Sequence, residues 1–310
     1  MEVIRMNKII NYIRHPRVLA NVILNHVAPL IKDDELFIKM KWQANMDYPL
    51  NLCNPQTFSE KIQWLKLYNR RPKYTTMVDK VEAKRWVAEQ IGEQYIIPTL
   101  GVWERAEDVD FNDLPEQFVI KCNHNSGKGM YVCRNKKMMD EKEVRRGLAK
   151  GLKQDYYIVN REWPYKDVKR RIIAEVFLSD GNCDLTDFKF FCFDGKPLYC
   201  QVIKDRNTKE TIDFFDMEWR HQAFIGLNPA AEPAIEPIKK PSKYDEMQEI
   251  ARILSKDIPF SRIDMYEVNG RVYFGEVTFF PASGFGGFKP QEWDYKFGEW
   301  IQLPKQNEEC

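Results

Sequence analysis

The chain has 310 residues, 30% of them charged and 44% apolar, which suits one large soluble globular domain or two or three coupled subdomains. A formal net charge of +1 offers no global field for nucleic acid, and four scattered histidines lack zinc-ligand spacing. Seven cysteines form no CxxC pair; Cys122, Cys133, Cys183, Cys192 and Cys200 fall in apolar, strand-like runs, as reduced thiols of a cytosolic protein do.

Residues 1–50 read as helical and irregular. Within them, residues 1–32 carry Arg5, Lys8, Arg14, Arg17 and Lys32 against Glu2 alone. Such a basic amphipathic segment suits either an anionic membrane surface or simple packing on the body of the protein. The apolar run "VLANVILNHVAPLI" is too short to cross a membrane, is broken by Asn21, Asn25, His26 and Pro29, and is followed by no small-residue cleavage site.

Next, "NPQTFSEKIQWLKLY" opens on a capping box, Thr57 followed by Glu60, and continues with apolar residues at helical spacing. "TTMVDKVEAKRWVAEQIG" predicts one helix, with Thr76 as N-cap, Asp79 in its first turn and Gly92 as its stop. "YIIPTLGVW" predicts a strand, "QFVIKCNHNSGKGMYVC" a strand, glycine loop and strand, and residues 140–155 a helix. "RRIIAEVFL" and "DFKFFCFDGKPLYCQVIKD" predict strands, the latter a hairpin through Asp194-Gly195. Prolines four apart, at 229, 233, 237 and 241, exclude a helix and predict an extended connector. A helix over 243–256, capped by Ser242, follows. Strands with interspersed helices and several hairpins point to an α+β fold with mainly antiparallel sheets.

Polar residues that interrupt apolar strands are the candidates for chemistry. Lys121 ends a strand that leads into "NHNSGKGM", the arrangement in which an ammonium and loop amides meet phosphate oxygens; the loop is not a Walker motif and also reads as an ordinary turn. Glu175 in "IIAEVFL" is either a buried ion-pair member or a mark of backbone that reads an adenine edge. Asp187 could take ribose hydroxyls, and Lys189 shares its strand face. In "SRIDMYEVNGRVYFGEVTFF", Asn269-Gly270 signals a hairpin. A three-residue loop, Val268-Asn269-Gly270, would put Asp264 and Glu276 on one face, with Arg262 opposite Glu276 and Asp264 diagonal to it; a two-residue loop would split them. Two carboxylates on one face suit Mg²⁺ with a phosphate, or form a salt-bridged solvent face.

In order along the chain, "VDKVEAK", "FVIKCNHNSG", "AEVFL" and "RIDMY…YFGEVTFFPASG" resemble the ATP-grasp fold. With "NPQTFSEKIQWLK", "REWPY" and "DFKFFCFDGKP" added, roughly residues 35–305 resemble its TupA-like branch, named for teichuronopeptide biosynthesis. The resemblance implies two α+β subdomains with largely antiparallel sheets clasping ATP, plus a helical N-terminal extension. It implies an extension over 1–50, an N-terminal subdomain over 51–115, a central subdomain with the glycine loop over 116–178, and a C-terminal subdomain with the metal site over 179–310.

Residue by residue, the resemblance implies that Lys80 and Lys121 neutralise ATP phosphates beneath a loop containing Asn125, Ser126, Gly127 and Gly129. Glu175, Val176 and Phe177 would form the adenine hinge, and Asp187 would bind ribose. Asp264 and Glu276 would hold Mg²⁺ with Thr278, which stands where many relatives have Asn. Arg262 would steady the transferred phosphoryl group or the acyl intermediate, Lys189 and Arg206 would contact phosphate or substrate, and Ser283 and Gly284 would lie near the acceptor. His124 beside the loop reads as a loop-fixing residue.

The expected activity is an ATP- and Mg²⁺-dependent carboxylate–amine ligase working through an acyl phosphate. Its expected partners are a small-molecule amine, such as an amino acid, and a uronic-acid or glycan-linked carboxylate in cell-surface polysaccharide synthesis, in the cytoplasm or at the inner face of the membrane. A glycosyltransferase using a nucleotide-sugar donor is the alternative; a kinase on the same fold and an inactive scaffold stand behind it. Phe285, Phe288, Trp293, Tyr295 and Trp300 could stack on sugar rings or belong to the core.

Overall fold

The computed structural model describes residues 16–181, 184–206, 208–228 and 230–305. Arg5, Lys8 and Arg14 of the basic segment, Cys183 and Pro229 lie outside the described residues. Two helices, α1 (Pro16–Val27) and α2 (Asp34–Asn45), form a hairpin in which Leu24 and Ala28 pack on Phe37 and Ala44. Asp33 caps α2 by accepting from the N–H groups of Glu35 and Leu36. No described helix is long and apolar enough to cross a membrane.

α3 (Phe58–Tyr68) starts with the expected capping box, both halves present: Thr57 accepts from Glu60 N, and the Glu60 carboxylate accepts from Thr57 N. The single helix expected from Thr76 is instead two, α4 (Lys73–Val78) and α5 (Glu82–Ile91). The reason is Asp79. Its backbone leaves the helical region at φ −70°, ψ 110°, and its carboxylate accepts from Val81 N at 2.8 Å and from Asn123 Nδ2 at 2.7 Å. A side chain that bonds the backbone ahead of it competes with helix continuation. Lys80 is thereby placed on the break rather than in a helical turn. Gly92, at φ 103°, stops α5 as expected.

The remaining helices are α6 (Glu141–Leu152), α7 (Tyr156–Asn160), α8 (Tyr244–Leu254) and α9 (Glu292–Trp300). Ser242 does not cap α8; its hydroxyl lies 2.5 Å from the Glu267 carboxylate, and α8 starts without a side-chain cap.

β1 (Thr99–Trp103), β2 (Phe118–Cys122), β3 (Met130–Cys133) and β4 (Ile172–Val176) form an antiparallel sheet in the order β1-β4-β2-β3. β5 (Asp187–Phe193), β6 (Lys196–Lys204), β7 (Thr211–Asp216) and β8 (His221–Gln222) join two later strands in a second sheet. Those are β10 (Phe260–Val268) and β11 (Arg271–Thr278), and the order is β11-β10-β5-β6-β7-β8, again antiparallel. β9 (Ile225–Gly226) pairs with β12 (Phe288–Lys289).

Each sheet has its own apolar core. Phe111, Phe118, Ile120, Ile172 and Leu148 of α6 fill the first, and Phe190, Phe191, Phe214, Ile263, Met265 and Phe297 belong to the second. Cys122, Cys133, Cys192 and Cys200 are free and buried, as their apolar setting predicts. Among the aromatics near the C-terminus, Phe288, Trp293 and Trp300 pack on Phe224, Phe193 and Tyr199, so they belong to this core rather than to a sugar platform. The described residues between 230 and 241 form no helix, and Glu232 alone bridges to Thr211 of β7.

Candidate active site

The β10–β11 hairpin does not have the expected register. Its loop has two residues, Asn269 at φ 52° and Gly270 at φ 73°, the two positive φ angles that a tight hairpin turn requires. Val268 pairs with Arg271 and Met265 with Phe274, but Asp264 pairs with Glu276. Gly275 is the extra residue, a β-bulge that shifts the alternation by one and returns Glu276 to the face of Asp264. Asp264 is therefore directly opposite Glu276, and Arg262 is opposite Thr278. A Cβ on Gly275 would sit 3.0 Å from the Asp264 carbonyl oxygen, so the bulge is closely packed.

Between the two sheets lies a cleft of about 400 Å³. Its walls bring together residues that lie far apart in sequence: Lys80, Lys121, Glu175, Asp187, Lys189, Arg206, Asp264 and Glu276. Asn125, Ser126 and Gly127 line it from the glycine loop, and Val176 and Phe177 from the end of β4. Gly129 turns away, packed where a Cβ would meet Cys122 Sγ at 2.7 Å and Gly151 Cα at 2.9 Å. Arg262, Thr278, Ser283 and Gly284 do not line the cleft wall, and the first two stand behind it.

Electrostatics sorts these groups into two linked sets. On the four-stranded side, Glu175 receives Lys121 at 2.5 Å and Lys84 at 2.6 Å. Burial works to raise the Glu175 carboxyl, but the two lysines outweigh burial and hold it below its ordinary value. Of the two readings of Glu175, the buried ion pair is the one its side chain adopts.

On the six-stranded side, Arg262 makes a two-pronged contact with Asp264, both bonds at 2.7 Å, and Lys189 bonds the same carboxylate. Asp187 meets Arg206 at 2.9 Å and Lys189 at 3.4 Å. Thr278 accepts from Arg262 at 3.1 Å and lies 3.4 Å from Glu276.

Glu276 differs from its neighbours in being 39% exposed toward the cleft. Burial works to raise its carboxyl; Lys80, Lys189, Arg262 and Lys121 outweigh burial and push it down to about 2. Lys80 spans the cleft, donating to Asn125 O at 3.0 Å and lying 3.7 Å from Glu276. Burial lowers the Lys80 ammonium, and Glu276 opposes that.

His124 is buried, bonded to Gln154 O at 3.0 Å, and its imidazole is lowered by burial, in line with a loop-fixing residue. Asn125 points inward to Gly151 O at 3.3 Å and anchors the same loop.

Ser283 occupies a tight turn in which Ala282, Ser283 and Gly284 all have positive φ, at 48°, 54° and 70°. Its hydroxyl donates to Glu162 at 2.6 Å and accepts from Asn160 at 3.0 Å, while Lys66 donates to its carbonyl at 2.8 Å. Burial lowers the Lys66 ammonium to about 7 and raises the Glu162 carboxyl.

Sequence reasoning missed Lys84, Lys66, Asn160 and Glu162. Lys84 carried a signal, since it stands one helical turn after Lys80 in "VDKVEAK". The other three sit in helical or irregular stretches where a polar side chain is ordinary.

The donor set is oxygen only. Two facing carboxylates and a hydroxyl, backed by cations, suit a hard divalent ion that completes its shell with phosphate oxygens. Among the described residues no group of three or more His, Cys, Asp or Glu could hold a metal ion on its own. The lysines on the opposite wall suit the phosphates themselves.

A two-sheet cleft of this kind defines a nucleotide-grasping α+β protein. The chain belongs to the TupA-like ATP-grasp family, which it matches over residues 60–302. No curated protein sequence matches it. Among solved structures it is similar to D-alanine–D-alanine ligase from Bacillus anthracis complexed with ATP, at 19% identity and a TM-score of 0.37, covering 65% of this chain and 53% of that one. It is similar to D-alanine–D-alanine ligase from Helicobacter pylori at 15% identity and 0.42, covering 79% and 69%. It is also similar to D-cycloserine synthetase DcsG at 13% identity and 0.40, covering 73% and 69%. The chain thus spans about half the length of the Bacillus anthracis ligase, 53%.

Proposed function

We propose that the cleft binds ATP with Mg²⁺ and that the protein is an ATP-dependent ligase joining a carboxylate to an amine through an acyl phosphate. The observation that carries this reading is the facing of Lys80 and Lys121 on one wall by Asp264 and Glu276 on the other. In it, Lys80, Lys121 and the loop residues Asn125, Ser126 and Gly127 meet the phosphates. The backbone of Val176 and Phe177, at the end of β4, reads the adenine edge, and Asp187 takes the ribose. Asp264 and Glu276 would hold Mg²⁺, which would supply positive charge to offset that of the phosphates.

Lys80, Lys189, Arg262 and Lys121 keep the Glu276 carboxylate ionised, Arg262 aligns Asp264 from behind the cleft wall, and Lys189, which lines the cleft, steadies the phosphoryl group in flight. Arg206 faces the substrate, and Ser283 and Gly284 border the acceptor. The sequence offers no Ser/His/Asp or Cys/His set for an enzyme-bound covalent intermediate, in keeping with direct phosphoryl transfer to the acid. The acid is a uronic acid or glutamyl group of a capsular or teichuronic-type polysaccharide, the amine is a small molecule such as an amino acid, and the reaction takes place in the cytoplasm, where ATP is available.

The test supplies ATP, Mg²⁺, a uronic acid or glutamate, and single amino acids. ADP and phosphate release requiring both acid and amine, and falling about a hundredfold or more in Glu276→Gln, is the expected result. A stable phosphate ester formed without any amine, one that hydroxylamine does not cleave as it would an acyl phosphate, would make the protein a kinase and overturn the ligase reading.

A further inference from the structure

We propose that Ser283 and Glu162 form a proton relay for the incoming amine, in which Ser283 Oγ meets the amine nitrogen and Glu162 receives the proton. The relay deepens the ligase reading and rests on it. β11, which presents Glu276 and Thr278, runs through Phe279, Phe280 and Pro281 into the turn at Ala282. Ala282 and Ser283 both hold the left-handed conformation that L residues rarely adopt, at φ 48° and 54°. α3 imposes it. Gln63 Nε2 donates to Ser283 O at 3.1 Å and Gly284 O at 2.9 Å, and Lys66 Nζ donates to Ser283 O at 2.8 Å, both side chains being fully buried. With its carbonyls clamped, the turn holds the Ser283 hydroxyl in one place, while Ala282 beside it stays exposed. Backbone forced into such a conformation by its surroundings is a mark of functional sites.

Glu162 does more than hold this turn. It is 5% exposed, and among the described residues its one side-chain hydrogen bond is the one that its Oε1 accepts from Ser283 Oγ at 2.6 Å. An amide would accept the same bond without the cost of a buried charge. Burial raises the Glu162 carboxyl; Lys66 of α3, Ser283 and Arg262 of β10 oppose the rise, and Glu276 of β11 adds to it. A carboxylate in such a setting takes up a proton more readily than an exposed one. Ser283 Oγ donates to Glu162 and accepts from Asn160 Nδ2 at 3.0 Å, which leaves it one lone pair for an ammonium N–H.

The position suits the second half of the reaction. Glu276 and Arg262 act on Glu162, and both also act on Tyr156 and Tyr165, whose rings meet edge to face at 4.8 Å. The relay therefore sits near the Asp264–Glu276 end of the cleft, where the ligase reading forms the acyl phosphate, rather than at the Val176–Phe177 end.

An ammonium arriving at Oγ gives it one proton as the hydroxyl's own proton passes to Glu162 Oε1. The freed lone pair forms the C–N bond to the acyl carbon, and the C–O bond to phosphate breaks. Phosphate leaves with that electron pair and with another of the amine's protons. The remaining proton stays on the amide, and Glu162 later returns its own to solvent. The relay thus fits a primary amine that is protonated in water, as an amino acid's is.

The experiment gives the purified full chain ATP, Mg²⁺ and either glucuronate or glutamate, and compares two nucleophiles. Single amino acids need a base; hydroxylamine, uncharged at neutral pH, arrives with its lone pair free and traps the acyl phosphate as a hydroxamate. The ratio of amide to hydroxamate is expected to fall about a hundredfold or more in Glu162→Gln, and likewise in Ser283→Ala, which leaves Glu162 and Lys66 in place. Damage to the fold or to ATP binding would lower both products alike and leave the ratio where it was. An unchanged ratio in either variant, or a wild type that forms hydroxamate but no amide with any amino acid, would overturn the relay alone. A wild type that forms no hydroxamate would overturn the ligase reading and the relay with it.

Discussion

Glu175 holds two lysines, Lys121 on the cleft wall and Lys84 behind it. Glu175→Gln leaves Lys84 and Lys121 without their counter-charge in a largely enclosed setting, and is expected to cost about 2–3 kcal/mol of stability at neutral pH. The pH dependence has a definite sign. The Glu175 carboxyl is held below its ordinary value, so its contribution is fully present above the unfolded value of about 4.3 and is lost as pH falls through its lower folded value. Denaturant melts of both proteins should differ at neutral pH and converge only in acid; equal stability at neutral pH would contradict this account. Lys121, Glu175, Asp264 and Glu276 were legible in the sequence because each interrupts an apolar strand, where a charge needs a reason. Lys66, Asn160 and Glu162 were not, because nothing in their local sequence reports that all converge on Ser283.

At the scale of the element, the hairpin shows how one glycine sets a site. A two-residue turn alone would throw Asp264 and Glu276 onto opposite faces, and the bulge at Gly275 restores them. Gly275→Val drives a branched side chain toward the Asp264 carbonyl and the Tyr266 ring, whose Cε2 would lie 3.1 Å from the new Cβ. The expected result is Mg²⁺–nucleotide affinity lower by about tenfold or more with an unchanged far-UV circular dichroism spectrum, read by titration. Unchanged affinity would show that the bulge does not position the carboxylates. Asn269-Gly270 announces the turn in the sequence, but a bulge follows from packing across strands, which local sequence does not encode. The broken helix at Asp79 has the same origin: Asn123 and Arg171, distant in sequence, hold the carboxylate that ends α4. Elements whose signals are local, such as the Thr57–Glu60 capping box, the Asp194-Gly195 hairpin and the Gly92 stop, were legible as they stand.

Across the whole molecule, two antiparallel sheets with separate cores meet at a cleft whose opposite walls carry opposite duties. The order of motifs along the chain made this α+β arrangement legible; the ion pairs that cross it were not, because they join residues of different sheets and helices. Lys80 reaches both Asn125 of the loop and Glu276 of β11, so a nucleotide seated there would touch both halves. The most direct measurement of the central claim is calorimetric titration of the purified protein with a non-hydrolysable ATP analogue, with and without Mg²⁺, beside UDP-sugars, for wild type and Glu276→Ala. The account predicts analogue binding that requires Mg²⁺ and is weakened about tenfold or more in Glu276→Ala, with no heat from UDP-sugars. Binding of UDP-sugars without the ATP analogue would contradict it and make the Asp264–Glu276 pair a donor-metal site of a glycosyltransferase.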